Sequence, residues 1–295
     1  MEPLVLAKRI PMQPEIRVAA VQMKSEPLAS SANREKLIRL AHEAGQTGAD
    51  LVVFPELCNT GYLTGTRLAD REAFYAAAES IPGPTTKALG QVARQHNMYV
   101  VVGLAERDAQ QLGVLFNTAV MLDRRGEVAG CYRKIHLAAE EKLVFNPGVK
   151  ASILQTELGH IGLMICYDSL FPELARSLAL QGADVVCVAF NWVKVGDFGS
   201  ERLKRLIAAR ALENRTYFVA AAKVGGHKDD VYLGASLIAG PSGEVLAEAG
   251  GEDEEIVSAT LRSDILLSER LSWTPLRDRR PVAYGEWQTR KGGDA

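Results

Sequence analysis

Apolar residues along this chain fall into short continuous runs separated by stretches of helical spacing, and the runs recur. GADLVVFPE (48–56) is matched by GADVVCVAF (182–190), each an apolar strand that follows a helical pattern and a glycine stop. IRVAAVQM (16–23) is matched by IGLMICYD (161–168), and YVVVGL (99–104) by YFVAAA (217–222). Both halves then fold back: residues 117–122 turn through DRRG (123–126) into Glu127 and Val128, and residues 234–238 turn through GPSG (240–243) into Glu244 and Val245. Helical spacing predicts helices at about 30–47, 70–79, 85–96, 171–181 and 200–214.

Matching pieces in one order indicate a duplication, each half reading strand, helix, strand, helix, strand, strand, strand. Runs such as Val100 to Leu104 need apolar neighbours on both faces. Helices on one side and a second sheet on the other satisfy them. The expected fold is therefore α/β, a four-layer α-β-β-α sandwich of two quasi-equivalent halves. Residues 1–270 read as a single domain and 271–295 as a C-terminal arm with a disordered end. Trp273, Tyr284 and Trp287 stand among arginines in that arm, a composition that suits either a subunit interface or packing on its own chain.

Charge and cysteine usage narrow the partners. The 34 Lys and Arg against 36 Asp and Glu leave a net charge of −2 with no basic run, which gives no footing for nucleic acid or an anionic membrane surface. No apolar run approaches the roughly 18 residues of a membrane span. The N-terminus, MEPLVLAKRIPMQPEIR, lacks the apolar core of a signal peptide. Cys58, Cys131, Cys166 and Cys187 form no CxxC pair, as expected of reduced thiols in a cytoplasmic protein. A small molecule is the expected partner.

Dinucleotide, P-loop, HExxH, paired Cys/His and GxSxG patterns are all missing, and the five histidines are scattered singly. No metal and no cofactor are expected. Cys166 closes a strand where the chain turns towards a helix, in GLMICYDSLFPELAR. There, unpaired N–H groups and a helix dipole would lower a thiol pKa and supply oxyanion donors. By position alone Cys166 is as well explained as a small buried apolar group, the reading that suits Cys187 and Cys131. Glu56 closes the strand of VVFPEL at the same end of the layered sheets. Burial there would raise its pKa towards neutrality and let it take and give a proton. Lys134 in YRKIHL is either a solvated surface charge or, pointing inward, a stabiliser of thiolate and oxyanion.

Together FPE with Glu56, YRKIHL with Lys134 and ICYD with Cys166 resemble the Glu-Lys-Cys triad of the nitrilase superfamily of carbon–nitrogen hydrolases, in that family's order and spacing. The resemblance runs from Ile16 to about Val282 and takes in NTAV, the NPG turn at 146–148, FPELAR, AFNW and RALENR. It implies the same sandwich, extended to eight layers in a homodimer or higher homo-oligomer, and cofactor-free catalysis. It further implies that Cys166 attacks, Glu56 is the base and Lys134 stabilises the adduct, with the Tyr167 N–H completing the oxyanion hole. The family's second carboxylate matches the EEK at 140–142; Glu141 is assigned to it, although this chain has Ala138-Ala139 where many relatives read Gly-Pro.

True nitrilases of this family tend to show Trp-Glu after the cysteine and many amidases Tyr-Asp; this chain has Tyr167-Asp168. The expected activity is hydrolysis of a small amide to carboxylate and ammonia through a thioester. Ser169-Leu170-Phe171 stand where carbamoylases of amino acids carry arginines, which implies an uncharged, aliphatic amide. Tyr62, Asn191 and Trp192 are candidate substrate-binding residues, with Phe145 weaker. N-carbamoyl amine hydrolysis and nitrile hydrolysis remain alternatives within the same chemistry, and a non-catalytic binding or scaffold sandwich is the alternative of another class. Arg210, Glu213 and Asn214, and Glu173 with Arg176, read as structural ion pairs and hydrogen bonds.

Overall fold

The computed structural model describes residues 10–62, 68–194, 199–227 and 230–284. Each half of the duplication becomes one sheet. In the first, β1 (Glu15–Gln22), β2 (Leu51–Val53) and β3 (Tyr99–Arg107) run parallel. They are linked through α1 (Ser30–Gln46), then α2 (Leu68–Ala77) and α3 (Pro84–His96), before β4 (Leu115–Leu122) and β5 (Val128–Arg133) continue antiparallel. The second half opens with β6 (Leu154–Thr156) and repeats the order: β7 (Gly159–Ile165), α4 (Pro172–Leu180), β8 (Val185–Phe190), α5 (Ser200–Asn214) and β9 (Tyr217–Ala222). A hairpin of β10 (Val224–His227) and β11 (Asp230–Leu233) precedes the antiparallel β12 (Leu237–Ala239) and β13 (Val245–Glu248). Finally β14 (Glu255–Arg262) returns to β1, followed by α6 (Ser263–Ser272) and α7 (Pro275–Asp278).

Two six-stranded sheets result, ordered β14-β1-β2-β3-β4-β5 and β13-β12-β9-β8-β7-β6. The expected four layers and all five expected helices are present. The sequence reading omitted β6 and β14, which add to β7 and β1 at equivalent edges, and the β10–β11 hairpin. Alternation along β3 shows how the layers are built. Val100, Val102 and Leu104 pack with Leu37, Leu40, Leu89 and Val92 of α1 and α3. Val101 joins Val18, Val53, Leu163 and Cys187 in the other core cluster. From Tyr99 to Glu106 every residue of β3 is buried, so the hydrophobic drive acts on both faces.

One expectation needs correction. Cys131 is exposed, because its position on β5 faces outward, whereas Cys58 and Cys187 are buried. Just before the C-terminal arm, Arg270 of α6 reaches Asp184 at 3.1 Å and the Ala183 carbonyl at 2.6 Å. Glu269 pairs with Arg215 at 2.9 Å, and the same Arg215 lies 5.7 Å from the Trp273 ring centre. Tyr284 is exposed, and Trp287 lies outside the described residues. Among the described residues no helix is long and apolar enough to cross a membrane.

Candidate active site

Past the end of β2 the chain stays on β3 for several residues. The Phe54 N–H donates to the Val101 carbonyl, the Gly103 N–H to Pro55 and the Cys58 N–H to Gly103. A Cβ on Gly103 would lie 2.5 Å from the Cα of Glu56, so only glycine lets Glu56 settle here. Leu57 then turns away with φ of 50°. Asn59 fixes the turn by accepting from the Ala105 N–H at 2.9 Å and donating to the Ala105 carbonyl at 3.2 Å.

Lys134 arrives from the end of β5, its N–H on the Asn117 carbonyl and its own carbonyl accepting from Gly148. Its ammonium is fully buried, 2.7 Å from Glu56 Oε1 and 2.9 Å from Glu141 Oε1. Asn117 Nδ2 donates to the same Glu56 oxygen at 2.6 Å. Glu56 Oε2 is buried with no hydrogen-bond partner among the described residues. Glu141 sits in the short 3₁₀ turn of Ala139–Leu143, its Oε1 accepting from Tyr62 at 3.0 Å and its Oε2 from the Ala138 N–H at 2.9 Å. Ala138 thus closes the turn with its backbone. Glu140, the alternative acid, points into solvent.

The nucleophile candidate stands at a bend. Cys166 has φ of 45°, a left-handed conformation that costs an L-residue about 1–3 kcal/mol unless its surroundings enforce it. They do. Asp168 folds back, its Oδ2 accepting from the Ile165 N–H at 3.1 Å and Tyr132 at 2.7 Å, its Oδ1 from the His136 N–H at 3.0 Å. The Ser169 hydroxyl donates to the Cys166 carbonyl, and Arg210 Nε donates to the Ser169 carbonyl at 2.9 Å. Asn191 connects the two halves: Nδ2 donates to the Glu56 carbonyl at 2.8 Å, and its backbone N–H acts on the Cys166 thiol, favouring the thiolate against the stronger effect of burial. The carboxylate from one sheet and the thiol from the other therefore share one buried, water-poor site.

Electrostatics divide the protons. Burial raises Glu56 to about 7, against the pull of Lys134 and with help from Glu141. Burial opposes the charge on Lys134, yet Glu56, Cys166 and Glu141 together hold its ammonium above the ordinary lysine range. The expected low thiol pKa is reversed. Burial, then the Glu56 carboxylate, hold Cys166 well above its ordinary value, outweighing Lys134. The bend also places Cys166 in a 3₁₀ turn of Cys166–Leu170, ahead of α4 and off its N-terminus. The resting sulfur is a thiol and needs a base.

The structure brings Glu56, Lys134, Glu141, Cys166, Tyr62 and Asn191 together. Tyr167 follows Cys166 directly and sets its ring against Phe171 at 5.3 Å, and Trp192 stacks on Phe190 at 5.8 Å. Phe145 is a core contact of Phe74. Arg210 pairs with Glu213 at 3.0 Å as expected. The expected Glu173–Arg176 pair does not form: Glu213 is the acid that acts on Arg176, and Arg176 Nη1 has no hydrogen-bond partner among the described residues. Asn117, Tyr132 and Asp168 were missed. Asp168 lies inside ICYD, where an acid two residues past a strand-end cysteine is the signal that could have found it. Volume does not locate this site, since clefts of about 600 Å³ beside Tyr99 and Arg124 and about 520 Å³ between α3 and the β4–β5 turn have no such set of groups.

The model of the carbon-nitrogen hydrolase family matches residues 17–266. The chain is 40% identical over 273 residues to a nitrilase from Pyrococcus abyssi, covering 91% of this chain and 99% of the relative. It is 32% identical over 289 residues to N-carbamoylputrescine amidase from Solanum lycopersicum, covering 91% and 93%. Its fold superposes with TM-score 0.77 and 28% identity on an amidase from Nesterenkonia sp. AN1, covering 95% and 100%. That structure is of a Glu-to-Gln mutant with the acetamide moiety of fluoroacetamide added covalently at the active-site cysteine. The convergent carboxylates, lysine and cysteine thus sit in a shared scaffold, and the chain is a hydrolase that belongs to the carbon-nitrogen hydrolase family, the nitrilase superfamily.

Proposed function

We propose that this enzyme hydrolyses a small amide to a carboxylate and ammonia through a thioester on Cys166. The observation that carries the reading is the buried Lys134 ammonium bonded to two carboxylates, with one oxygen of Glu56 left without a partner beside a protonated thiol. Cys166 Sγ attacks the amide carbon while Glu56 Oε2 takes the thiol proton. Two of the three Lys134 N–H donors are committed to Glu56 and Glu141. The third, with the Tyr167 N–H, receives the developing oxyanion. Glu56 returns its proton to nitrogen, the C–N bond breaks and ammonia leaves. Water then enters, its oxygen bonds to the thioester carbon as Glu56 takes one of its protons, the C–S bond breaks to release the carboxylic acid, and sulfur recovers the proton from Glu56. Glu141 and Asn191 act as positioning residues, Glu141 through Lys134 and Asn191 through Glu56 and the thiol.

Tyr167 and Asp168 after the cysteine favour amides over nitriles, and a covalent adduct at the cysteine of the Nesterenkonia amidase supports the nucleophile. A substrate with a carbamoyl group would release carbon dioxide as well as ammonia. Hydroxylamine tests the intermediate. An acyl hydroxamate forming alongside the carboxylate, with an acyl mass on Cys166 after acid quenching, is the expected result. Turnover that yields carboxylate alone, with no adduct on Cys166, would contradict a thioester.

A further inference from the structure

Lys223 follows β9, and its N–H donates to the carbonyl of Phe190, next to the Asn191 that contacts both Glu56 and Cys166. Its side chain is 2% exposed. Nζ has no hydrogen-bond partner among the described residues and lies 4.1 Å from the ring centre of Tyr232 on β11. The Tyr232 hydroxyl is likewise buried and without a partner. Tyr232 meets Tyr62 edge to face at 6.4 Å, and the Tyr62 hydroxyl bonds Glu141. A continuous path of contacts therefore leads from the triad to two unused donors.

Burying an ammonium without an acceptor is costly, and a methionine would fill the same space without that cost. A ring face offsets part of the loss. The hydroxyl of that same ring is a second unmet donor, which a cation–π contact does not explain. The charged groups around Nζ are Glu26 and Lys24 after β1, Asp230 on β11 and the Cys58 thiol. None forms an ion pair or hydrogen bond with it, and Glu26 is 3.5 Å from Lys24.

We propose that Lys223 and Tyr232 form an anion-accepting subsite beside the triad, so that the amide hydrolysed here carries a carboxylate at the end remote from the scissile carbon–nitrogen bond. The inference rests on the amidase reading and replaces the uncharged amide expected from Ser169, Leu170 and Phe171 with a carboxylated one, its cation supplied by a different strand end. Burial lowers Lys223 to about 8, so below that pH the ammonium is ready for an anion, and occupation by a carboxylate would hold its proton more tightly.

The test uses ω-carboxy amides with one, two or three methylenes, each beside the neutral amide that ends in methyl. For at least one length, kcat/KM of the wild-type enzyme should favour the carboxylated member by about tenfold or more, and Lys223→Met should lower that ratio by about tenfold. Tyr232→Phe should lower it less. The preference should also fade above pH 8. Neutral amides preferred at every length, or an unchanged ratio in a folded Lys223→Met protein, would overturn the subsite. Release of ammonia from neither class would count against the amidase reading, and binding decides the subsite on its own. Calorimetry of Cys166→Ala should show tighter binding of a carboxylated amide than of its neutral partner, and the added Lys223→Met change should remove the difference. Equal binding, or none, would overturn the proposal.

Discussion

In the duplicated fold, Val21, Gln22 and Met23 at the end of β1 stand where Cys166, Tyr167 and Asp168 stand at the end of β7. The first strand runs on without a bend. Gln22 is buried, donating to the carbonyls of Gly250 and Asp253 at 2.6 and 2.9 Å and accepting from the Ser236 N–H at 3.0 Å, and Met23 bridges to Lys223 in the other half. The second strand bends. Asp168, in place of Met23, turns its carboxylate back onto the Ile165 and His136 N–H groups and holds Cys166 at a positive φ. The next pair of strands divides the work the other way: Glu56 follows β2, where its counterpart Phe190 ends β8 as packing. Parallel strand ends in a sandwich offer shielded, convergent positions. Which of them does chemistry depends on whether a polar group replaces a packing residue and whether a carboxylate bends the chain.

The comparison is broken most severely at Cys166, the proposed nucleophile. Cys166→Ala should take turnover to background, a loss of about 10⁴-fold or more, with a melting midpoint within about 3 °C of the parent. Substantial turnover would place the chemistry on another residue. Asp168→Asn tests the bend itself, because its amide presents donors where Ile165, His136 and Tyr132 need acceptors. Leaving buried donors unmatched costs about 1–3 kcal/mol. The midpoint should fall by several degrees and kcat/KM by about 10- to 100-fold, whereas a neutral outcome would make the carboxylate incidental to the bend.

A pH profile comes next in size. In the proposed mechanism only unprotonated Glu56 accepts the thiol proton, so kcat/KM should fall about tenfold per unit below pH 7. The folded protein keeps the Glu56 proton to about 7, while the unfolded chain releases it near 4.5. The folded form therefore binds more protons between those values, and this group's contribution to stability declines as pH rises through the window. Glu56→Gln should flatten that decline; an identical slope would assign it to other groups. The smallest effect belongs to the packing counterpart: Met23→Leu should cost less than about 1.5 kcal/mol in chemical denaturation and leave kcat/KM alone.

The architecture was legible because buried strands need apolar residues on both faces and because the duplication repeats them in order. Edge strands β6 and β14 were not, since β6 has only three residues and β14, though eight residues long, is a mixed strand with few buried positions. Glu56, Lys134 and Cys166 were legible as motifs, and Glu141 as the acid beside Lys142. Their protonation was only half legible. Burial acts on both groups in one direction, so a helix dipole expected to depress the Cys166 thiol could not compete once the bend removed the thiol from the α4 terminus. Asn117 carries only the pattern of a strand residue and no motif singles out Lys223, because only packing across the two sheets buries them.

Amide hydrolysis dependent on Cys166 is tested most directly by ammonia release from a panel of amides, N-carbamoyl amines and nitriles, with the Cys166→Ala protein as blank. Ammonia from amides with the parent protein alone is the predicted result. Ammonia from nitriles alone, or equal release by the Cys166→Ala protein, would contradict it.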